Sequence, residues 1–311
     1  MKVLDLVKKH GWVGLTSLAA SIPFPLANAN AFFVDNSVTE ALDADDGVHG
    51  QTWAAPLASI DYAIGLCTAD QGDMIFVSPA HNDSPTAAIN FDVSGISLIA
   101  CGGGFNPQEP EKIAIWPNAS YTTGPVAIIT APCRIEGFEF VSRATTGGFS
   151  DAQTTVGAAV AIAGEGGSYT GSYSLFKNCK FVCDWWSTPY GVASSAGAYN
   201  RFEGCTFQGA VTSGIAFRGS SSNNPTHNII EDCKFIDCVN GIEHAPGTVQ
   251  NFLYKGNVFI DCTIPIDFNN QGADGLVCNN FFEVANTLAY DQTVGTLQAL
   301  GINFSGNHYS E

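Results

Sequence analysis

One short pattern constrains this chain more than any other feature: an apolar residue, two spacers, Cys or Asn, one spacer, then Phe. Its copies are Phe176/Cys179/Phe181, Phe202/Cys205/Phe207, Ile230/Cys233/Phe235, Tyr254/Asn257/Phe259 and Val277/Asn280/Phe282. A further copy, Phe304/Asn307/Tyr309, closes the sequence, and Ile135/Phe138/Phe140 is a degenerate early one. The closing aromatics at 140, 181, 207, 235, 259, 282 and 309 are mostly 23 to 28 residues apart. That period means stacked supersecondary units, each too small to bury its apolar face alone.

Downstream of each Phe a second short apolar run follows: Gly214–Phe217, Gly241–His244 and Pro265–Phe268. A third, such as Val249–Tyr254, leads into the next copy. Three short strands and three turns per unit predict an all-β, right-handed, single-stranded parallel β-helix, each strand pairing with its equivalents above and below. Phe would then stack on Phe, and Asn or Cys on its equivalent, as internal ladders. A buried Asn ladder stays satisfied because each amide bonds its neighbours. Before the repeats, Ile60, Ala63, Ile64 and Cys67 share one helical face, with Ser59 as N-cap. This predicts a capping α-helix over about 59–68 that covers the open end of the core. Less regular strands are expected at 31–34, 74–77, 96–100, 113–115, 126–130 and 135–141, with a loop excursion over 147–171. The domain prediction is an arm over 1–30 and a β-helix over 31–311.

Composition narrows the partners. With 12 basic against 29 acidic residues, the net charge is -17. Such a surface repels phosphate backbones and anionic membranes, so neither nucleic acid nor a membrane is expected as a partner. Ten cysteines invite a disulfide reading. However, Cys179, Cys205 and Cys233 occupy one repeat position, and Cys238 and Cys262 another. Thiols stacked on neighbouring strands sit roughly 4.7–4.9 Å apart, a little too far for an unstrained bridge. Reduced, buried thiols and folding in a cytosol are the expectation.

Residues 1–30 carry a basic start, an apolar stretch and a small-residue Ala27–Ala29 ending, which is the outline of a secretory signal peptide. Asp5 in the basic region and Pro23 and Pro25 in the apolar run depart from that outline. The preferred reading is a retained anchoring arm, with Val3, Leu4, Leu6, Val7, Trp12 and Phe24 as partner-binding residues. The apolar run is too short and too broken by proline to span a bilayer.

The repeats, with Gly-Ile-x-apolar downstream, resemble those of the pectin-lyase-like right-handed β-helix superfamily. The segment Ala58–His81 is similar to the capping helix and first strand of β-helix virion proteins of tailed bacteriophages. Together these likenesses cover roughly residues 31–311. The resemblance implies a scaffold that hosts lyases, hydrolases, tailspikes and inert virion parts. Pectate lyases of the family use an Asp cluster for calcium with a catalytic Arg. Galacturonases carry Asn-Thr-Asp, Asp-Asp, Gly-His-Gly and Arg-Ile-Lys strings; of these only Asp-Asp occurs here, as Asp45-Asp46 in the acidic loop ahead of the repeats.

The residues themselves offer few chemical candidates. Asp237 and Asp261 each lie two residues after a repeat Phe, so they stack as a carboxylate pair, near the ~5–5.5 Å separation of retaining glycosidases. Any two stacked acids acquire that spacing, and a solvated turn pair is the plainer reading. Asp43, Asp45 and Asp46 outline a cation loop without the distal Glu of an EF-hand, and read as a turn. Trp185, Trp186 and Tyr190 form an aromatic group for a glycan or a neighbouring subunit. His227 and His244 read as polar turn or strand-end residues. No catalytic set, metal or cofactor is assigned. These readings predict a non-enzymatic virion protein of a tailed bacteriophage, a capsid decoration or head- or tail-attached component. Its expected partners are capsid or tail proteins and further copies of itself, with a trimer among the options. The alternative is a secreted or tailspike-type protein that binds or degrades polysaccharide.

Overall fold

The computed structural model describes residues 29–101, 113–115, 123–144, 157–162, 171–183, 188–195, 197–218, 225–244, 249–268, 273–283 and 302–310. Their strands form three all-parallel sheets of ten, eight and seven strands. One coil shows the plan. Arg201–Glu203 lies in the first sheet, Thr206–Gln208 in the second and Ser213–Arg218 in the third, and the chain then re-enters the first sheet at Ile229–Glu231. Strands pair in register with their counterparts one coil away, as in Phe207↔Phe235 and Phe235↔Phe259, with one shift between Val249 and Phe252 against Ala273–Cys278. The expected parallel β-helix is what forms.

The repeat Phe ladder lines the interior of the second sheet. Phe181, Phe207, Phe235 and Phe259 are fully buried, and successive rings stack at 4.8–4.9 Å. The opening apolar residues, among them Phe176, Phe202, Ile230 and Tyr254, line the first sheet across from it. Val192, Ile215, Ile242 and Ile266 close the third side.

The corner between first and second sheets explains the Cys/Asn position. Asn280 Nδ2 donates to Tyr254 O at 3.0 Å, and its Oδ1 accepts the Asn257 N–H at 2.8 Å. Asn257 does the same one coil back, donating to Ile230 O and accepting from the Cys233 N–H. The cysteines copy this geometry with sulfur. Cys233 Sγ donates to Phe202 O at 3.5 Å and accepts the Cys205 N–H at 3.4 Å. Thiol and amide therefore fill one role, satisfying backbone groups that a buried corner would otherwise orphan.

The residue before each Cys or Asn has left-handed backbone: Asn178, Gly204, Asp232, Gly256, Asn279 and Gly306, with φ of 52–67°. Glycine and an Asx residue alternate there rung by rung, and the cause is steric. A Cβ added at Gly204 would meet Asn178 Oδ1 at 2.6 Å, and one at Gly256 would strike Asp232 Oδ1. Each Asx side chain thus lies over the glycine of the next coil.

The capping helix is Ile60–Leu66, with Ser59 as N-cap accepting from Tyr62 N–H, and Ile60, Ala63 and Ile64 are buried on the core. Two expected elements need correction. The strand expected over 135–141 is two strands, Cys133–Glu136 and Phe138–Ser142, because Gly137 at φ 85° makes the same corner there. The region expected as a loop excursion contains Ala158–Ile162, a strand of the third sheet. No helix among the described residues is long and apolar enough to cross a membrane.

Candidate functional site on the third sheet

Along each strand of the third sheet, alternate side chains point into the core and away from it. In Gly214–Phe217 the outward residue is Ala216, paired with Glu243 on the next coil and, beyond it, with Asp267. The third sheet thus changes from alanine to carboxylate as it advances. Ala158 and Ala193 are fully buried beneath the partly buried Tyr190. Ser213 and Asn240, successive partners of Tyr190 along the sheet, flank the two acids.

These side chains converge. Ser213 Oγ donates to Glu243 Oε2, and Asn240 Nδ2 reaches Asp267 Oδ2 at 3.5 Å. The Asn240 amide also hydrogen-bonds Glu243. Asn240 is 8% exposed, and its Oδ1 is buried with no partner. Burial pushes the Glu243 carboxyl up from the usual range and the Asp267 charge adds to it, with the Ser213 and Asn240 hydrogen bonds opposing. Burial likewise raises Tyr190; the Glu243 charge adds, and Arg218 opposes. The backbones of Glu243 and Asp267 are one rung apart, roughly 4.7–4.9 Å. One carboxyl biased to its protonated form beside another acid is the arrangement of a proton donor with a charged partner.

Sequence reasoning did not single out Glu243, Asp267, Ser213, Asn240 or Arg218. They come from three successive coils and share no local string. The available signal was the outward position of Gly-Ile-x-apolar, where Ala216 gives way to Glu243 and then Asp267.

Of the residues singled out from sequence, Tyr190 belongs to this cluster. Asp237 and Asp261 do not: both are exposed, at φ 54° and 52°, in the turn after the second sheet. Such positions favour Asp because its short side chain tolerates the left-handed region. Asp43 accepts from the Ala58 and Ser59 N–H groups and from Ser59 Oγ, tying the acidic loop to the start of the capping helix. Asp46 accepts from the N–H groups of His49 and Val48, which hold its carboxyl down at about 2. Asp45 lines a cavity of about 240 Å³ with Asn30, Phe32, His49 and Leu66. Among the described residues no three His, Cys, Asp or Glu side chains gather to hold a metal. Val3, Leu4, Leu6, Val7, Trp12, Phe24, Trp185 and Trp186 lie outside the described residues.

His227 is an exposed turn residue, as expected. His244 ends the strand Asn240–His244, as expected, but it points into the core and is fully buried among Phe252, Tyr254 and Phe268. All ten cysteines are free, and eight are buried.

Comparison with known proteins bears on the fold. A family model described as a right handed beta helix region matches residues 152–288. The pectate lyase Pel9A superposes with a TM-score of 0.51 at 11% identity, over 91% of this chain and 78% of its own. The chain has the right-handed β-helix fold. The β-helix is also similar to ORF18 of Geobacillus virus E2, with a TM-score of 0.45 and 15% identity over 74% of this chain. It spans 46% of that protein's length. A rhamnogalacturonan lyase matches at 0.46 and 14% identity, over 82% of this chain and 69% of its own. At these identities the likeness is one of fold alone. A comparison with curated proteins finds no match.

Proposed function

We propose that the chain is a structural β-helix component of a tailed bacteriophage particle, a capsid decoration or head- or tail-attached protein. Residues 1–30 anchor it to capsid or tail subunits. The observation that carries this reading is the state of the cysteines. Ten unpaired thiols, several serving as hydrogen-bonding rungs of the core, suit folding in a reducing cytosol, where virions assemble. A chain exported to an oxidising compartment would expose those thiols to pairing before the coils closed over them. The test is to delete residues 2–28 and ask whether the protein still copurifies with particles. Loss of attachment with an unchanged thermal transition supports anchoring by the arm, and full attachment overturns it.

A second reading, that the β-helix engages polysaccharide, is favoured by the cluster of Tyr190, Ser213, Asn240, Glu243 and Asp267. A ring, two hydrogen-bonding side chains and two carboxyls on one sheet face are the groups that recognise or cleave a glycosidic linkage. A Glu243→Gln variant that keeps its fold should lose glycan binding or turnover. Undiminished activity in that variant would remove this reading.

A further inference from the structure

A second exposed feature stands at the corner between the third and first sheets. Tyr173, Tyr199 and His227 occupy one position on successive coils, each N–H donating across to the next coil, to Ala198, Thr226 and Gln250 O. Their rings stack face to face: Tyr173 on Tyr199 at 4.8 Å and 3°, Tyr199 on His227 at 4.5 Å and 8°. All three have left-handed backbone, at φ 62°, 58° and 57°. That conformation suits glycine or asparagine and penalises a bulky residue. The coil after His227 places Asn251 there at φ 53°, and earlier coils use Asp70 and Gly95.

Core packing does not explain the aromatics, since Tyr173 is 65% and Tyr199 44% exposed. Tyr199 stacks on one face of Tyr173, whose ring is otherwise largely open to solvent at 65% exposure. We infer that the Tyr173–Tyr199–His227 stack is a contact site for a neutral saccharide, a sugar ring lying on the free face of Tyr173. Stacking on a fixed ring needs no side-chain ordering on binding. The net charge of -17 disfavours an anionic sugar. Three rings offer far less apolar area than the ~800 Å² per partner of a stable protein interface, which argues against a docked subunit.

The stack and the third-sheet cluster share two coils: Tyr199 follows Tyr190–Ser195, and His227 follows Ser213–Arg218. A strand of that length spans roughly 20 Å, so one oligosaccharide could touch both. The inference rests on the polysaccharide reading and extends it to a second contact.

The test is a glycan array spanning neutral and anionic oligosaccharides, probed with the full chain and with Tyr173→Ala, Tyr199→Asn and Glu243→Gln variants, alongside melting curves. The expected result is retention of neutral glycans, weakened about tenfold in Tyr173→Ala and Tyr199→Asn. Tyr199→Asn should melt no lower than the parent, because asparagine tolerates the turn. Binding lost in Glu243→Gln but intact in both tyrosine variants would overturn this inference and leave the cluster standing. Binding lost in the tyrosine variants alone would do the reverse. No glycan retained by the parent, or a clear drop in melting temperature in Tyr199→Asn with binding intact, would make the stack structural and overturn the inference.

Discussion

His244 is where a single residue most alters the energetics. Burial among aromatic rings pushes its pKa down to about 3, while Nε2 meets Tyr254 Oη at 2.7 Å. In the unfolded chain it titrates near the ordinary 6.5. The contribution from the neutral ring is therefore complete above 6.5 and is lost as pH falls from 6.5 toward 3. By pH 4.5 the loss is on the order of 3 kcal/mol. Urea midpoints at pH 7 and 4.5 should separate strongly in the parent, and less in a His244→Phe, Tyr254→Phe double variant that removes both polar partners. Equal separations would contradict this reading of the core. Glu243 has the opposite sign. Its carboxyl is raised, so the fold is favoured below the folded value and penalised as pH rises through it. Glu243→Gln should raise stability at pH 7 and leave it nearly unchanged at pH 4; an unchanged melting temperature at pH 7 would count against a buried, costly carboxyl.

At the scale of the element, the corner ladder was partly legible in the sequence. The Cys/Asn position could be read as an internal ladder because Asn257, Asn280 and Asn307 recur with the same spacing as the repeat Phe. That a thiol stands in for an amide at Cys233 was not legible, since only the paired distances to Cys205 N and Phe202 O reveal it. The alternation of Gly204, Asp232, Gly256 and Asn279 was present in the sequence but carries meaning only once the coils are stacked. Two substitutions test the ladder. Gly256→Ala combines a left-handed backbone with a clash against Asp232, and should cost about 1–3 kcal/mol. Phe235→Ala, deleting a ring stacked on both sides at 4.8 Å, should cost about 3–5 kcal/mol. Thermal or urea unfolding checks both, and a neutral Gly256→Ala would show that the Asx overlay is slack.

For the whole molecule, period and composition were enough to read the stacked coils, because every coil must satisfy the same interior. They were not enough for the third-sheet cluster, whose members come from Tyr190–Ser195, Ser213–Arg218, Asn240–His244 and Ile264–Asp267 with no shared motif. Nor could they reveal the tyrosine stack, because Tyr173 and Tyr199 sit at a turn position that other coils fill with Asn251 or Gly95. The ion pairs of the first sheet were likewise not anticipated from sequence. Arg201 and Lys255 both bridge Glu231, at 2.8 and 2.6 Å, so two of the 12 basic residues are engaged within the fold.

The assignment to a particle assembled in a reducing cytosol depends on two properties of one polypeptide: a retained arm and unpaired thiols. Both are read at once by the intact mass of the chain from its native source, denatured and alkylated without reductant. The account predicts a chain that retains residues 1–29 and carries ten alkyl groups. A chain shorter by the first 29 or so residues, or one with cysteines blocked in pairs, would contradict it and favour a secreted protein.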